Sequence, residues 1–207
     1  MPYGYLGQNL PNQTVSNSGV FSISDVADLE KQGKFGGSLE LIGEQTCSGN
    51  ATLEFTDIKE SVYDVHLLQY IGLESASNMY NELRVSNDNG TSYETTNYQR
   101  AVQYGSVNGT FGENKSTSAD RFTIMAFATA GTPVTNYAYL YNLGNSSKYS
   151  FVTHHSTVGN EWMYYGGQVY AVAETINALR ILNSAGATRD RDWETKLYLL
   201  EFPKLYK

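Results

Sequence analysis

The aromatic residues of this chain are its strongest candidates for binding chemistry. Trp162, Tyr164 and Tyr165 stand close together, directly before Gly166 and Gly167. Large rings with a polar tip suit wet interfaces, and a sugar ring can stack on them. The cluster therefore predicts a glycan contact at Trp162, Tyr164 and Tyr165. The competing interpretation is that the alternating Trp and Tyr residues of one strand belong to the core and the rim of a sheet.

Metal chemistry finds little support in the histidines and the cysteine. The chain has three histidines, His66, His154 and His155, and one cysteine, Cys47. Neighbouring residues of a strand point to opposite faces, so His154 and His155 cannot easily share one metal ion. Zinc needs several such ligands, and no cysteine cluster supplies the others. We therefore expect no metal site and no cofactor.

Catalytic motifs are not visible in the sequence either. It holds no Gly-x-Ser-x-Gly elbow and no glycine-rich phosphate loop. The acidic residues are numerous enough for the carboxylate pair of a glycosidase, but sequence position cannot place two of them across a cleft. Asp190 and Asp192 lie in a charged stretch, where solvated side chains are the simpler interpretation. We expect that the protein is not an enzyme, with a glycan-degrading enzyme as the alternative.

The charge balance disfavours two classes of partner. The chain has 207 residues, with 14 Lys and Arg against 21 Asp and Glu, and a formal net charge of -7. Because there is no basic run, binding to a nucleic-acid backbone or an anionic membrane surface is disfavoured. No apolar run suits a membrane helix, and residues 1–10 lack the features of a secretory signal. We expect no nucleic-acid partner, no membrane insertion, and folding in a cytoplasm.

The elements that position these side chains are predicted to be strands. Tyr137, Tyr139 and Tyr141 recur at every second position, and residues 63–71 show the same period of two. That period is typical of half-buried β-strands. We expect strands over 38–44, 51–56, 61–72, 79–86, 92–104, 121–130, 135–143, 148–156, 162–173, 176–183 and 195–202. Many short strands without intervening helices predict an all-β fold, an antiparallel β-sandwich of jelly-roll-like type.

Turn and loop signals divide this pattern. Asn89-Gly90 is a dipeptide preferred in tight hairpins, so we predict a hairpin there. The polar stretch 106–119 is predicted to be the longest loop of the chain. The segment 121–130 is apolar on both faces, which indicates a strand that is covered on both sides.

Two regions are expected to differ from the body of the sandwich. Residues 1–35 are predicted to form an N-terminal arm for attachment or oligomerisation, with one short helix over 22–33. A helix of this length is not stable alone, so it must pack on the sandwich or on a partner chain. The sandwich is predicted to span 36–207. Its last stretch, 189–207, is atypical because charged residues concentrate there.

Several blocks of the sequence form a recognisable signature. They are the Gly-Tyr-Leu-Gly start, Asn-Ser-Gly-Val-Phe-Ser-Ile-Ser-Asp-Val, Gly-Gly-Ser-Leu-Glu-Leu-Ile, and residues 63–66, 88–93, 144–149 and 176–181. Together these blocks resemble virion proteins of tailed bacteriophages, especially those of marine phage sequences. The resemblance covers roughly residues 3–185, and the stretch 189–194 and the extension through Lys207 depart from it.

The resemblance implies a structural component of the virion, most directly a tail fibre or tail-associated protein that contacts the host surface, without known catalytic residues. It implies other virion proteins as partners and a homo-oligomer, for which a trimer is one arrangement. A host surface glycan is a further candidate ligand, and the expected location is the virion. The alternatives are a carbohydrate-binding, lectin-like module and a capsid decoration protein.

Overall fold

The computed structural model describes residues 22–31, 40–46, 52–74, 77–78, 80–124, 128–159, 161–183 and 196–203. Within them lie one helix and twelve strands. These are α1 Ile23–Lys31, β1 Glu40–Thr46, β2 Thr52–Thr56, β3 Tyr63–Leu73, β4 Asn81–Ser86, β5 Tyr98–Ser106, β6 Phe111–Ala119, β7 Phe122–Thr123, β8 Val134–Tyr141, β9 Ser150–Val158, β10 Trp162–Tyr170, β11 Ala178–Asn183 and β12 Lys196–Pro203.

The strands form two antiparallel sheets. The large sheet has eight strands in the order β1-β12-β3-β8-β9-β10-β5-β6, and the small sheet has four in the order β2-β11-β4-β7. The small sheet packs against one face of the large sheet, called here the inner face. Apolar side chains from both sheets form one buried cluster between them. The predicted all-β sandwich is confirmed.

The period of two is confirmed in β8, but its large rings point away from the core. The buried positions of this strand are Val134, Asn136, Ala138 and Leu140. Tyr137, Tyr139 and Tyr141 therefore lie on the opposite face of the sheet. Alternation alone does not decide which set of side chains is buried, because a tyrosine ring suits either environment.

Tyr98 shows how the two sheets are held together. Its buried ring packs edge-on against Phe122, with centroids 4.8 Å apart, and lies 5.1 Å from the ring of Tyr170. Its hydroxyl accepts a hydrogen bond from the backbone N–H of Val85 at 3.1 Å and donates one to the carbonyl oxygen of Glu94 at 3.2 Å. Because Tyr98 belongs to the large sheet and Val85 to the small sheet, this side chain links them.

Gln168 makes a second link, and its replacement by leucine should lower the free energy of unfolding by about 2 kcal/mol. Its Oε1 accepts from the backbone N–H of Thr123 at 2.9 Å, and its Nε2 donates to the carbonyl oxygen of Thr123 at 2.8 Å. Gln168→Leu would leave both buried backbone groups without this partner. Urea denaturation measures the loss. Gln99→Leu, the same change at an exposed strand position, is the control, and equal stability of the two variants would contradict the prediction.

The predicted long loop over 106–119 is wrong. Residues 111–119 form β6, which a tight turn connects to β5. The two strands pair along the length of β6. Gly109 has a φ of +88° in that turn, and Ser106 donates its N–H to the carbonyl oxygen of Thr110 at 2.8 Å. β6 lies at the edge of the sheet, where a strand can consist almost wholly of polar residues because it has little core to cover.

The turn at Asn89-Gly90 forms as predicted, but the hairpin does not. Both residues have positive φ, 56° and 86°. The strands on either side lie in different sheets, β4 in the small sheet and β5 in the large one, and β5 begins only at Tyr98. Asp88 organises the turn: hydrogen bonds from the backbone N–H and hydroxyl of Ser92 are the main reason that the pKa of Asp88 falls to about 2.

The remaining predictions concern segments that the structure describes only in part. Between 121 and 130 it shows the short β7, followed by the buried Ile124, while 125–127 lie outside the described residues. The predicted helix over 22–33 appears as α1, but the rest of the 1–35 arm lies outside them. In the atypical stretch 189–207, the backbone of β12 pairs with β1 and β3, in agreement with the strand predicted over 195–202.

Candidate functional site

The face of the large sheet that points away from the small sheet, called here the outer face, carries exposed aromatic side chains. Residues that pair directly across strands point to the same face, so the strand register defines its members. One row crosses six strands and is called here the central row. It consists of Gln69 of β3, Tyr137 of β8, His155 of β9, Tyr165 of β10, Gln103 of β5 and Glu113 of β6.

The rings of the outer face contact one another. The ring centroid of Tyr137 lies 6.0 Å from that of Tyr139 and 5.7 Å from that of His155. Tyr139 is in turn 6.4 Å from Tyr141, with the two rings nearly parallel at 28°. Tyr137 and Tyr165 each leave 43% of their surface exposed. Contiguous exposed apolar surface of this kind marks interaction sites on soluble proteins.

Two open depressions adjoin Tyr165 and Gln103. The first, of about 330 Å³, is also lined by Tyr104, Phe111, Gly112 and Glu113. The second, of about 250 Å³, is also lined by Ala101, Val102, Glu113, Lys115 and Gly166. The depressions form because small residues, among them Gly112, Ala101 and Gly166, lie near the large ring of Tyr165. The Tyr165 ring lines both depressions.

Polar groups are fixed around the Tyr165 ring. Its hydroxyl donates a hydrogen bond to Oε1 of Gln103 at 2.9 Å. The Glu113 carboxylate, which lines both depressions, forms an ion pair with the ammonium of Lys115, which lines the second. An aromatic face with amide, carboxylate and ammonium groups beside it can stack on an apolar ring face and hydrogen-bond the hydroxyls at its margin.

The predicted aromatic cluster is divided between the two faces of the sheet. Trp162 and Tyr164 point to the inner face, where the ring of Tyr104 stacks on Tyr164 at 5.1 Å and lies 5.8 Å from Trp162. Tyr164 is only 6% exposed, and burial raises its pKa to about 12. Tyr165 lies on the outer face, so the three cannot form one surface. The glycan contact stays a prediction for Tyr165.

Sequence reasoning missed the other members of the central row. Gln69, Tyr137, His155, Gln103 and Glu113 come from five further strands, and each one is ordinary in its own segment. The recurring tyrosines of β8 were a signal, since three rings at every second position must share a face. Their position beside His155 and Tyr165 follows only from the register.

The carboxylate pair that a glycan-degrading enzyme would need does not lie in either depression. Glu82 and Asp120 share the Nε of Arg121, at 2.9 Å and 3.2 Å, and Arg84 binds Asp120 at 3.0 Å. Burial raises the pKa of Glu82 to about 7, against the opposing charge of Arg121. Its side chain is 5% exposed. This arrangement fits a partly buried ion-pair network that joins β4 to the segment between β6 and β7.

The histidines separate as predicted. His154 is buried on the inner face, where burial, and next the charge of His155, lowers its pKa to about 4. His155 lies on the outer face. Among the described residues, no group of three or more His, Cys, Asp or Glu side chains could hold a metal ion. Within the same part of the chain, no helix has the length and apolar character needed to cross a membrane.

Comparison with known proteins adds no relative. No protein-family model, no curated protein and no solved structure matches this chain.

Proposed function

We propose that this chain is a structural component of a tailed bacteriophage virion, a tail fibre or tail-associated protein, and that the outer face of its large sheet contacts the host surface. The observation that carries the binding part is the central row with its exposed rings. The virion part depends on the sequence resemblance alone. A β-sandwich with one face covered and the other presenting rings is suited to touching other molecules.

The chemistry of the outer face favours a carbohydrate as the contacted group. Tyr165 offers a ring between two open depressions, and Gln103, Glu113 and Lys115 offer hydrogen-bonding groups within them. Sugars combine an apolar ring face with hydroxyls at the edge, and this surface has a partner for each. The same geometry supports the second candidate function, a lectin-like module that acts outside a virion.

Removing two rings should weaken this binding about tenfold, since each stacked ring contributes about 0.5–1.5 kcal/mol. The probe is an array of bacterial O-antigens and capsular polysaccharides, read with the native chain and with the Tyr137→Ser/Tyr165→Ser double variant. Tyr149→Ser is the matched control, because Tyr149 is similarly exposed, at 49%, but lies in the turn between β8 and β9. Undiminished binding by the double variant would contradict the proposed face.

A different measurement tests the virion assignment. Mass spectrometry of purified particles from a phage that encodes the chain should find it in the particle, and cryo-electron microscopy should place it on the tail. If the particle lacks the chain while the chain still binds glycans, the lectin-like function replaces the virion function.

A further inference from the structure

The free edge of β6 has the geometry to pair with a second copy of itself. In the part of the chain that the structure describes, β6 ends the large sheet and has a partner only in β5. An exposed edge strand of this length presents unpaired N–H and C=O groups, which can accept another strand. What decides the partner is the pattern of groups along the edge.

The hydrogen-bond pattern identifies which backbone groups are free. Ser106 and Thr110 share a backbone hydrogen bond, so the pairs alternate from there between bonded and non-bonded. The backbone groups of Gly112 and Asn114 therefore point towards β5. Those of Phe111, Glu113 and Lys115, which lie before the register shift of the β5–β6 pair, point to the free edge.

Charge selects one register of self-pairing. In an antiparallel pair about a twofold axis at Asn114, Glu113 of each copy lies opposite Lys115 of the other. This register also matches free backbone groups with free backbone groups. Shifting the axis to Glu113 or to Lys115 places like charges opposite each other, which destabilises a strand pair.

The side chains leave room for this contact. Glu113 and Lys115 are 64% and 73% exposed, and both lie on the outer face. Within one chain the two side chains form an ion pair. In the dimer, each charge would also lie opposite the complementary charge of the second copy. Charged residues on an edge normally prevent strand addition. Here the charges of Glu113 and Lys115 disfavour the two registers whose axis lies one residue away, and favour the register about Asn114.

We propose that this protein forms a twofold dimer in which the β6 strands of two copies pair antiparallel about Asn114, joining the two large sheets into one. The contact is small, so its dissociation constant falls in the weak class, at about 10–100 μM. Because the axis of such a pair is perpendicular to the sheet, both outer faces point to the same side.

Reversal of single charges tests the register. Sedimentation of the full chain from about 5 to 500 μM should show a dimer, and Glu113→Lys or Lys115→Glu alone should weaken it about tenfold. Mixing the two variants should restore the dimer, since one brings two cations to the edge and the other two carboxylates. The Glu113→Lys/Lys115→Glu double variant should also restore it. Lys148→Glu, an exposed turn position, is the control for net charge.

The outcomes separate cleanly. A native chain that stays monomeric over this range overturns the proposal. So does an oligomer of any size that neither single reversal weakens, or a mixture that fails to associate. Thermal unfolding of each variant shows that the fold is intact, as expected for two exposed side chains.

Discussion

Replacing Gly166 by alanine should lower the free energy of unfolding by about 3 kcal/mol or more. Gly166 lies in β10, and a Cβ there would sit 2.5 Å from the carbonyl oxygen of Ala101 and 2.7 Å from the Cα of Val102. Both atoms belong to the backbone of β5, so no side-chain rotation can relieve the contact. β10 and β5 would have to move apart at a position where the large sheet packs against the core.

Gly167→Ala provides the matched control one residue away. A Cβ at Gly167 meets no atom within 4 Å, and the residue faces solvent on the outer face. Its replacement should change stability by less than about 1 kcal/mol, because alanine removes some of the entropy that glycine loses on folding. Urea denaturation of both variants decides the matter. Equal midpoints would show that β10 and β5 can move apart at no cost.

Replacing Glu82 by glutamine should make the fold sensitive to acid. Between pH 7 and pH 4, the free energy of unfolding of Glu82→Gln should fall by about 3 kcal/mol more than that of the native chain. In the native protein, two buried groups, Glu82 and His154, have opposite effects on the change of stability with pH. The substitution removes the effect of Glu82.

The sign follows from where each group takes up its proton. Glu82 is protonated in the folded chain from about pH 7 downwards but in the unfolded chain only near the ordinary glutamate pKa of 4.5, so acid stabilises the fold through Glu82. His154 takes up a proton near the ordinary histidine pKa of 6.5 when unfolded and only at a pKa of about 4 when folded, so acid destabilises the fold through His154. The pKa difference between the folded and the unfolded chain is of similar size for Glu82 and His154. Their opposite effects on stability therefore nearly cancel in the native protein.

The charges around Glu82 are Arg121, Asp120, Arg84 and Arg100, and they remain in the variant. Glu94 also has a raised pKa, but it is present in every chain compared and so drops out of the difference. His154→Gln should show the reverse behaviour, a gain of about 3 kcal/mol over the native chain on acidification. Parallel pH profiles for the three proteins would contradict both assignments.

The strands of this fold can be predicted from the sequence where a buried face imposes a period of two. That period predicts β9 and β10 to within a few residues. It does not predict β6, because the sequence from Phe111 to Ala119 is almost wholly polar and lacks that period. An edge strand receives its conformation from its neighbour, and that information lies in β5.

The candidate site shows the same limit more strongly. Tyr165 can be identified from its own segment, where it stands close to Trp162 and Tyr164. Residues two apart in a strand share a face and adjacent ones do not, so Tyr165 lies on the face opposite to the other two. The central row joins residues as distant as Gln69 and Tyr165. Only strand order and register bring them together, and neither is visible in a single stretch of sequence.

Only β5 separates β6 from β10, the strand that carries Tyr165. Two sheets joined at that edge would place both sets of rings side by side, facing one surface. On a cell coat of repeating polysaccharide, the second attachment would follow the first without a search through solution. A protein with weak individual contacts would then hold such a coat through avidity, and would release it wherever the repeats are sparse.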